Sequence, residues 1–434
     1  MNFHINFMSL KKLTYLGLRI ATQVVILFFF SCKSSVTFQE TDWRFFRGTQ
    51  LDGCSPNKGL PIFWGEDTSV VWKTPVHDLG NSSPVILNNQ IWLTTAKNDG
   101  TELYAVCIDF VTGKIIHDIM VFSPDKVPQK HSLNTYATPS PALENGFVYV
   151  HFGSMGTACL NSSTGAIIWK RTDLYCDHVQ GPASCPILYK NLLIFNLEGV
   201  DVQYVIALDK TTGKTIWQNP RPQEYYVNEP PIARKGYSTP IVINVNGKDQ
   251  LISVGSEVCI AYDPLTGVEI WRVNYSSDSA IAMPLYSNGL VLFSTGFGGA
   301  SVRLIAVNPQ GTGNITNSGK IWETNIDVPG INTPVVHNGL VYMIQEKGQL
   351  TCLEAATGKV FYKEKLKGDF YSSPICADGK VYFPSKQGMV YVLKEGQTFE
   401  ILAQNKLNSE FWASIAVSGE SIVLRSDKYL YLIN

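Results

Sequence analysis

The fold this sequence predicts is all-β: an eight-bladed β-propeller of four-stranded antiparallel blades. Three observations predict it. The first is a proline followed four residues later by a turn residue, at Pro84/Asn88, Pro141/Asn145, Pro186/Lys190, Pro284/Asn288, Pro334/Asn338 and Pro374/Asp378, with Pro240/Asn246 stretched by two residues. An eighth copy, Ser414/Ser418, keeps the spacing without the proline. Gly or Asn follows the turn residue every time, as a two-residue hairpin with positive φ at its centre requires. Successive copies start 40 to 57 residues apart, a period of blade-forming repeats. The second observation is the turn Asp209-x-x-Thr212-Gly213, which recurs at residues 109–113, 161–165, 263–267 and 354–358. The third is that the last repeat, residues 414–434, ends before a fourth strand, while Val70-Val71-Trp72-Lys73 near the start supplies the missing pattern. An N-terminal strand is therefore expected to close the ring, which removes the open sheet edges that invite aggregation.

Each repeat reads as Ser/Thr-Pro, a short apolar strand, the hairpin turn, a second strand, a third strand ending in an acid or amide, the Thr-Gly turn, and a fourth strand carrying an aromatic. In the third repeat these strands fall at 186–188, 192–196, 205–209 and 214–217. The Asp or Asn of the turn can accept backbone N–H groups, and its Gly takes the left-handed conformation. An aromatic stands four residues after that Gly at Trp169, Trp217, Trp271 and Tyr362, and Trp322 follows Gly319 by three. Repetition at one structural place points to wedging between adjacent blades rather than to a ligand.

A closed repeat array buries each unit on its neighbours, so 434 residues can form one large domain. Residues 1–31 read as a signal peptide of lipoprotein type, 32–69 as an N-terminal extension and 70–434 as the propeller. The leader has Lys11, Lys12 and Arg19, then an apolar run over 24–30 that ends in Ser31-Cys32. The run resembles a bacterial lipobox with Cys32 as the lipidated residue; an ordinary signal peptide with a chance Cys, or an anchor helix, is the alternative. Attachment to the membrane through this lipid, on the periplasmic side of a bacterial envelope, is expected. With 35 basic and 36 acidic residues, no nucleic-acid footprint and no polybasic membrane patch is visible. Cys107, Cys159 and Cys352 each lie six residues before the Gly of a Thr-Gly pair and read as small core residues on equivalent strands. Cys176 and Cys185 share a loop in which they could pair or stay free. No Cys-x-x-Cys zinc pattern exists, and no metal is expected.

The Asp-x-x-Thr-Gly-x-x-x-Trp pattern resembles the repeat of the PQQ-binding-like β-propeller family, from about Trp43 to Asn434. The resemblance implies the propeller fold and relates the chain to the BamB-like envelope lipoproteins of outer-membrane assembly. The segment Trp43-Arg44-Phe45-Phe46-Arg47-Gly48, with Asp52-Gly53 and Ser55, departs from that branch, as do residues 136–141, 151–153 and 176–178. These are more similar to propellers from envelope proteins of Bacteroidetes and Planctomycetes. The quinoprotein dehydrogenase branch implies an adjacent Cys-Cys pair and a calcium loop, neither of which is recognisable, so no cofactor is expected and PQQ with calcium is disfavoured.

Connections from an outer strand to the next inner strand all emerge on one face around the channel, and the first three are the longest, near 120–140, 172–185 and 218–239. They supply the candidate ligand-binding set His131, Tyr136, Asp177, His178, Tyr226 and Arg234. Later connections add Asp369 with Tyr371 and Glu410 with Trp412. Aromatic, carboxylate and Arg side chains together suit a polar or carbohydrate ligand, or an envelope protein partner; loops are also polar simply because they meet water. The first reading is a binding or scaffolding module. The alternative is an enzyme on this face, a quinoprotein-like oxidoreductase or a carbohydrate-active lyase or hydrolase, with no catalytic residue assignable.

Overall fold

In the computed structural model the described residues are Met1, 42–296 and 302–434; Cys32 and the leader lie outside them. Eight four-stranded antiparallel blades follow in chain order. Blade 1 spans Val85 to Phe122, blade 2 Ala142 to Arg171, blade 3 Ile187 to Pro220 and blade 4 Ile241 to Asn274. Blade 5 spans Leu285 to Thr324, blade 6 Val335 to Lys365, blade 7 Ile375 to Lys406, and blade 8 begins at Ala416. Blade 8 is completed from the other end of the chain: Val70–Pro75 pairs antiparallel with Tyr429–Ile433, so the ring closes as the truncated last repeat requires. The eighth hairpin is shifted by one residue from the expected register. Ser418 pairs with Ser421, so Ile415 stands where the other blades have proline and Gly419 opens the turn.

The aromatic after the Thr-Gly turn fastens one blade to the next. Trp72, Trp169, Trp217 and Trp322 each donate their indole N–H to a carbonyl in the turn of the following blade, at Phe110, Lys210, Pro264 and Ala355, over 2.9 to 3.2 Å. The rings lie so close that a Cβ at Gly213 would stand 2.7 Å from Trp169, and Gly213 has φ +72°. Close approach and left-handed backbone thus both select glycine there. Asp209 Oδ1 accepts the backbone N–H and hydroxyl of Thr212, and its hydroxyl and amide partners hold its carboxyl down at about 2. Trp271 differs: its N–H turns back to Gln250 of its own blade. Cys107, Cys159 and Cys352 are buried on equivalent third strands, as expected, and Cys176 and Cys185 are free thiols that do not pair.

A second fastener rings the channel. The residue before each proline donates its backbone N–H to the side chain of the equivalent residue in the next blade: Ser83 to Ser140 Oγ (2.7 Å), Ser140 to Cys185 Sγ (3.2 Å) and Cys185 to Thr239 Oγ1 (2.8 Å). The series resumes with Met283 to Thr333, Thr333 to Ser373, Ser373 to Ser414 and Ser414 back to Ser83, each at 2.9 Å. Between blades 4 and 5 the link is missing, because Met283 offers no hydroxyl. Ser414→Ala should leave the buried N–H of Ser373 without its acceptor and cost about 1–3 kcal/mol, read as a lowered Tm against the exposed control Ser132→Ala.

The innermost strands present an unpaired edge to the channel, and the described part of the N-terminal extension fills it. Trp43 exchanges both backbone bonds with Ile86, Leu143 N–H donates to Arg44, Cys376 N–H donates to Gly53, and Cys54–Ser55 pairs in parallel with blade 7. The buried guanidinium of Arg47 donates to the carbonyls of Pro334 (2.8 Å), Pro374 (3.1 Å) and Asp52 (3.1 Å). Burial draws its pKa down to about 10. Phe45 and Leu51 pack on blades 2 to 4.

Candidate functional site

On the face where the blade connections emerge, the channel opens into a cavity of about 250 Å³. Its floor combines Phe46 of the plug with the fastening hydroxyls of Ser83, Ser140, Thr239, Thr333, Ser373 and Ser414. Each oxygen accepts an N–H from a neighbouring blade, which leaves the O–H to donate into the cavity. The wall carries Leu133, Ile281 and Ile331 with His131, Asn134, Gln180 and Tyr237. At the rim Tyr371 and Trp412, from the connections before blades 7 and 8, stack with centroids 4.9 Å apart and planes at 13°. Lys386 Nζ sits 4.7 Å over the Trp412 ring.

The structure brings only His131 of the six expected residues to this cavity. Tyr136 is buried in the core of blades 1 and 2, with its hydroxyl on Pro128 O at 2.8 Å. Asp177 lines a separate depression with Asp125, Lys126 and Tyr175. His178 is buried, with Nε2 3.1 Å from Cys176 Sγ, and burial lowers its pKa to about 4. His151, also buried, bonds Thr157 Oγ1 at 2.8 Å and is lowered to about 3 by burial. Both rings are neutral at pH 7, as packed core histidines are. Tyr226 is buried with its hydroxyl on Ser256 O, and Arg234 donates to the carbonyl of Glu229. Long connections carry residues that pack the loops themselves, while the short later connections carry the aromatic rim.

Among the described residues the lining of the cavity contains no Lys, Arg, Asp or Glu, and the nearest charges, Lys386 and Glu410, stand at the rim against Trp412.

On the same face Glu257, at φ +66°, occupies the turn between the second and third strands of blade 4. Burial raises its carboxyl to about 7; the Ser277 N–H opposes this and the charges of Glu229 and Asp278 add to it. The folded state therefore holds the proton more tightly than the unfolded chain, and stability falls as pH rises from the ordinary carboxylate range through about 7. Glu257→Gln should raise the Tm near pH 8 and leave it unchanged near pH 4, as thermal melts across pH would show.

A family model described as outer membrane protein assembly factor BamB matches residues 201–317 and 314–399. The chain is 23% identical over 268 residues to tetrathionate hydrolase of Acidithiobacillus ferrooxidans, covering 57% of this chain and half the length of that protein. It is 22% identical over 281 residues to the assembly factor BamB of Yersinia pestis, covering 53% of this chain and 69% of the relative. The quinohemoprotein alcohol dehydrogenase of Comamonas testosteroni superposes with a TM-score of 0.67 at 11% identity, over 90% of this chain and 80% of that one, a likeness of fold. The repeat, the ring and these matches agree on an eight-bladed β-propeller whose repeats are similar to those of the PQQ-like family.

Proposed function

We propose that this chain is a binding and scaffolding module of the cell envelope that seats a protein partner at the channel mouth. The cavity carries the reading, with its uncharged, mostly apolar wall, stacked aromatic rim and hydroxyl floor, all held on a closed ring. An apolar or aromatic side chain of a partner would leave water there and meet walls that need no rearrangement, as the central anchor of an interface does. The role named for the matched family, outer membrane protein assembly, supports an envelope protein as partner. The rival reading, an enzyme on this face, has the hydrolase and dehydrogenase relatives behind it. Among the described residues lining the cavity, however, no carboxylate stands beside His131 as an acid–base counterpart.

The test replaces Leu133 by a photo-crosslinking residue in envelope extracts. Capture of a defined envelope protein, lost when Trp412→Ala is added, is the expected result. A tightly retained small molecule, or dye-linked oxidation on adding quinone and calcium, would make the protein an enzyme instead. The same reading makes Cys32 the site of lipid attachment. Cys32→Ala should move the protein from the membrane to the soluble fraction with its Tm unchanged, and an unmodified Cys32 in membrane-bound protein would refute the anchor.

A further inference from the structure

On the face opposite the cavity, the N-terminal plug meets blades 6 and 7 at a cluster of potential metal ligands. His337 ends the first strand of blade 6, Cys376 lies in the first strand of blade 7, and Glu395 follows that blade's third strand. One ligand atom from each lies within 4.8 Å of the others. His337 Nδ1 is 2.7 Å from Glu395 Oε1, and Cys376 Sγ is 3.8 Å from Glu395 Oε2. A fourth candidate comes from the plug. Cys54 is the direct cross-strand partner of Cys376, and its Sγ lies 3.4 Å from the carbonyl of Val336, next to His337. Asn338 Nδ2 donates to Glu395 Oε1 at 2.9 Å and orients the carboxylate from outside the set.

We propose that Cys54, Cys376, His337 and Glu395 bind a divalent ion of the zinc class. Two sulfurs, an imidazole nitrogen and a carboxylate oxygen are the donor types such an ion selects. In a tetrahedral zinc site, bonds of about 2.0–2.3 Å place neighbouring donors roughly 3.3–3.8 Å apart; Cys376 Sγ and Glu395 Oε2 already stand at 3.8 Å, while His337 and Glu395, at 2.7 Å, would move apart around the ion and Cys54 would turn its thiol in from the neighbouring strand. Cys376 is fully buried and the Glu395 side chain is 9% exposed, while the His337 side chain, 39% exposed, leaves a path for the ion to enter. On binding, each thiol gives up its proton to water and the two thiolates take the ion. Its structural effect would be to fasten the plug to blades 6 and 7.

The test adds cobalt(II), then zinc, to reduced full-length protein. One equivalent of cobalt should give thiolate-to-cobalt charge-transfer absorption that zinc abolishes, zinc should raise the Tm, and protons should be released on binding. The double variant Cys54→Ser/Cys376→Ser should remove the absorption and His337→Ala, at a partly exposed position, should weaken affinity at least tenfold while the variant stays folded. Absence of the band in fully reduced folded protein would overturn the site, as would its persistence in Cys54→Ser/Cys376→Ser. A Cys54–Cys376 disulfide in the protein as isolated, seen as the loss of two hydrogens by mass, would likewise replace it with a covalent cross-link.

Discussion

A chain cut to begin after Pro75 is expected to lose cooperative folding, whereas one cut to begin at Asp42 should melt with the intact protein. The longer deletion removes the strand Val70–Pro75 that covers Tyr429–Ile433 and leaves blade 8 with three strands and an open edge. It also withdraws the buried side chains of Trp43, Phe45, Leu60 and Trp64, together with Arg47, which satisfies three inner-strand carbonyls. Deleting a buried aromatic costs about 3–5 kcal/mol, so several together rival the 5–15 kcal/mol by which domains are stable. A third chain beginning at Glu66 keeps the closing strand and loses the plug, which separates the two contributions. Calorimetry with dye binding to exposed apolar surface reads the outcome. If all three chains melt at one temperature, neither plug nor closing strand supports the ring.

Arg221→Ala should be the most damaging single substitution, by about 3–5 kcal/mol, because it strands a carboxylate inside the protein. Arg221 and Glu198 have fully buried side chains, with Nη2 and Nε at 2.5 and 2.7 Å from the same carboxylate oxygen. The guanidinium also donates to Ser253 of blade 4, whose hydroxyl bonds Asn196 of blade 3, so the pair sits in a network that joins two blades. Burial opposes the charge on Arg221, but Glu198 outweighs it and holds the guanidinium's pKa above its ordinary value. In the single variant the unpaired Glu198 would have a raised pKa. Its penalty is then present at high pH and relieved as pH falls below that pKa. The double variant Arg221→Met/Glu198→Leu, which removes both charges, should recover most of the loss in denaturant titrations. A single variant as stable as the double would show that the pair carries no burial cost.

The blades were legible because their signals are local and repeated. A hairpin turn, an Asp-Thr-Gly turn and a following Trp each act within a few residues, so Pro186 or Trp217 could be placed without knowing the rest. The one register slip, at Ser414, came where the proline had been replaced by Ile415 and the marker was gone. The plug was not legible. Arg47 binds carbonyls some 290 residues away, at Thr333 and Pro334, and no spacing encodes that. Nor is the polarity of a loop a guide to which way its side chains face. His178 and Tyr226 look like site residues in sequence yet fold inward, while Tyr371 and Trp412, read as loop residues on short connections, form the rim. His337, Cys376 and Glu395 are likewise brought together only by the ring.

The missing fastener at Met283 makes one junction chemically unlike the other seven. Trp271 reaches the same junction through Gln250, which accepts its N–H and donates to Pro309 O of blade 5, and Gly313–Asn314 adds as a fifth strand in parallel to Trp271 and Arg272. A ring of near-identical parts thereby acquires a latch. The connection into blade 4 also grips the one into blade 5, Tyr237 N–H on Ala280 O and Ser238 Oγ on Ala282 O, so the junction without the belt link is closed by a set of bonds of its own.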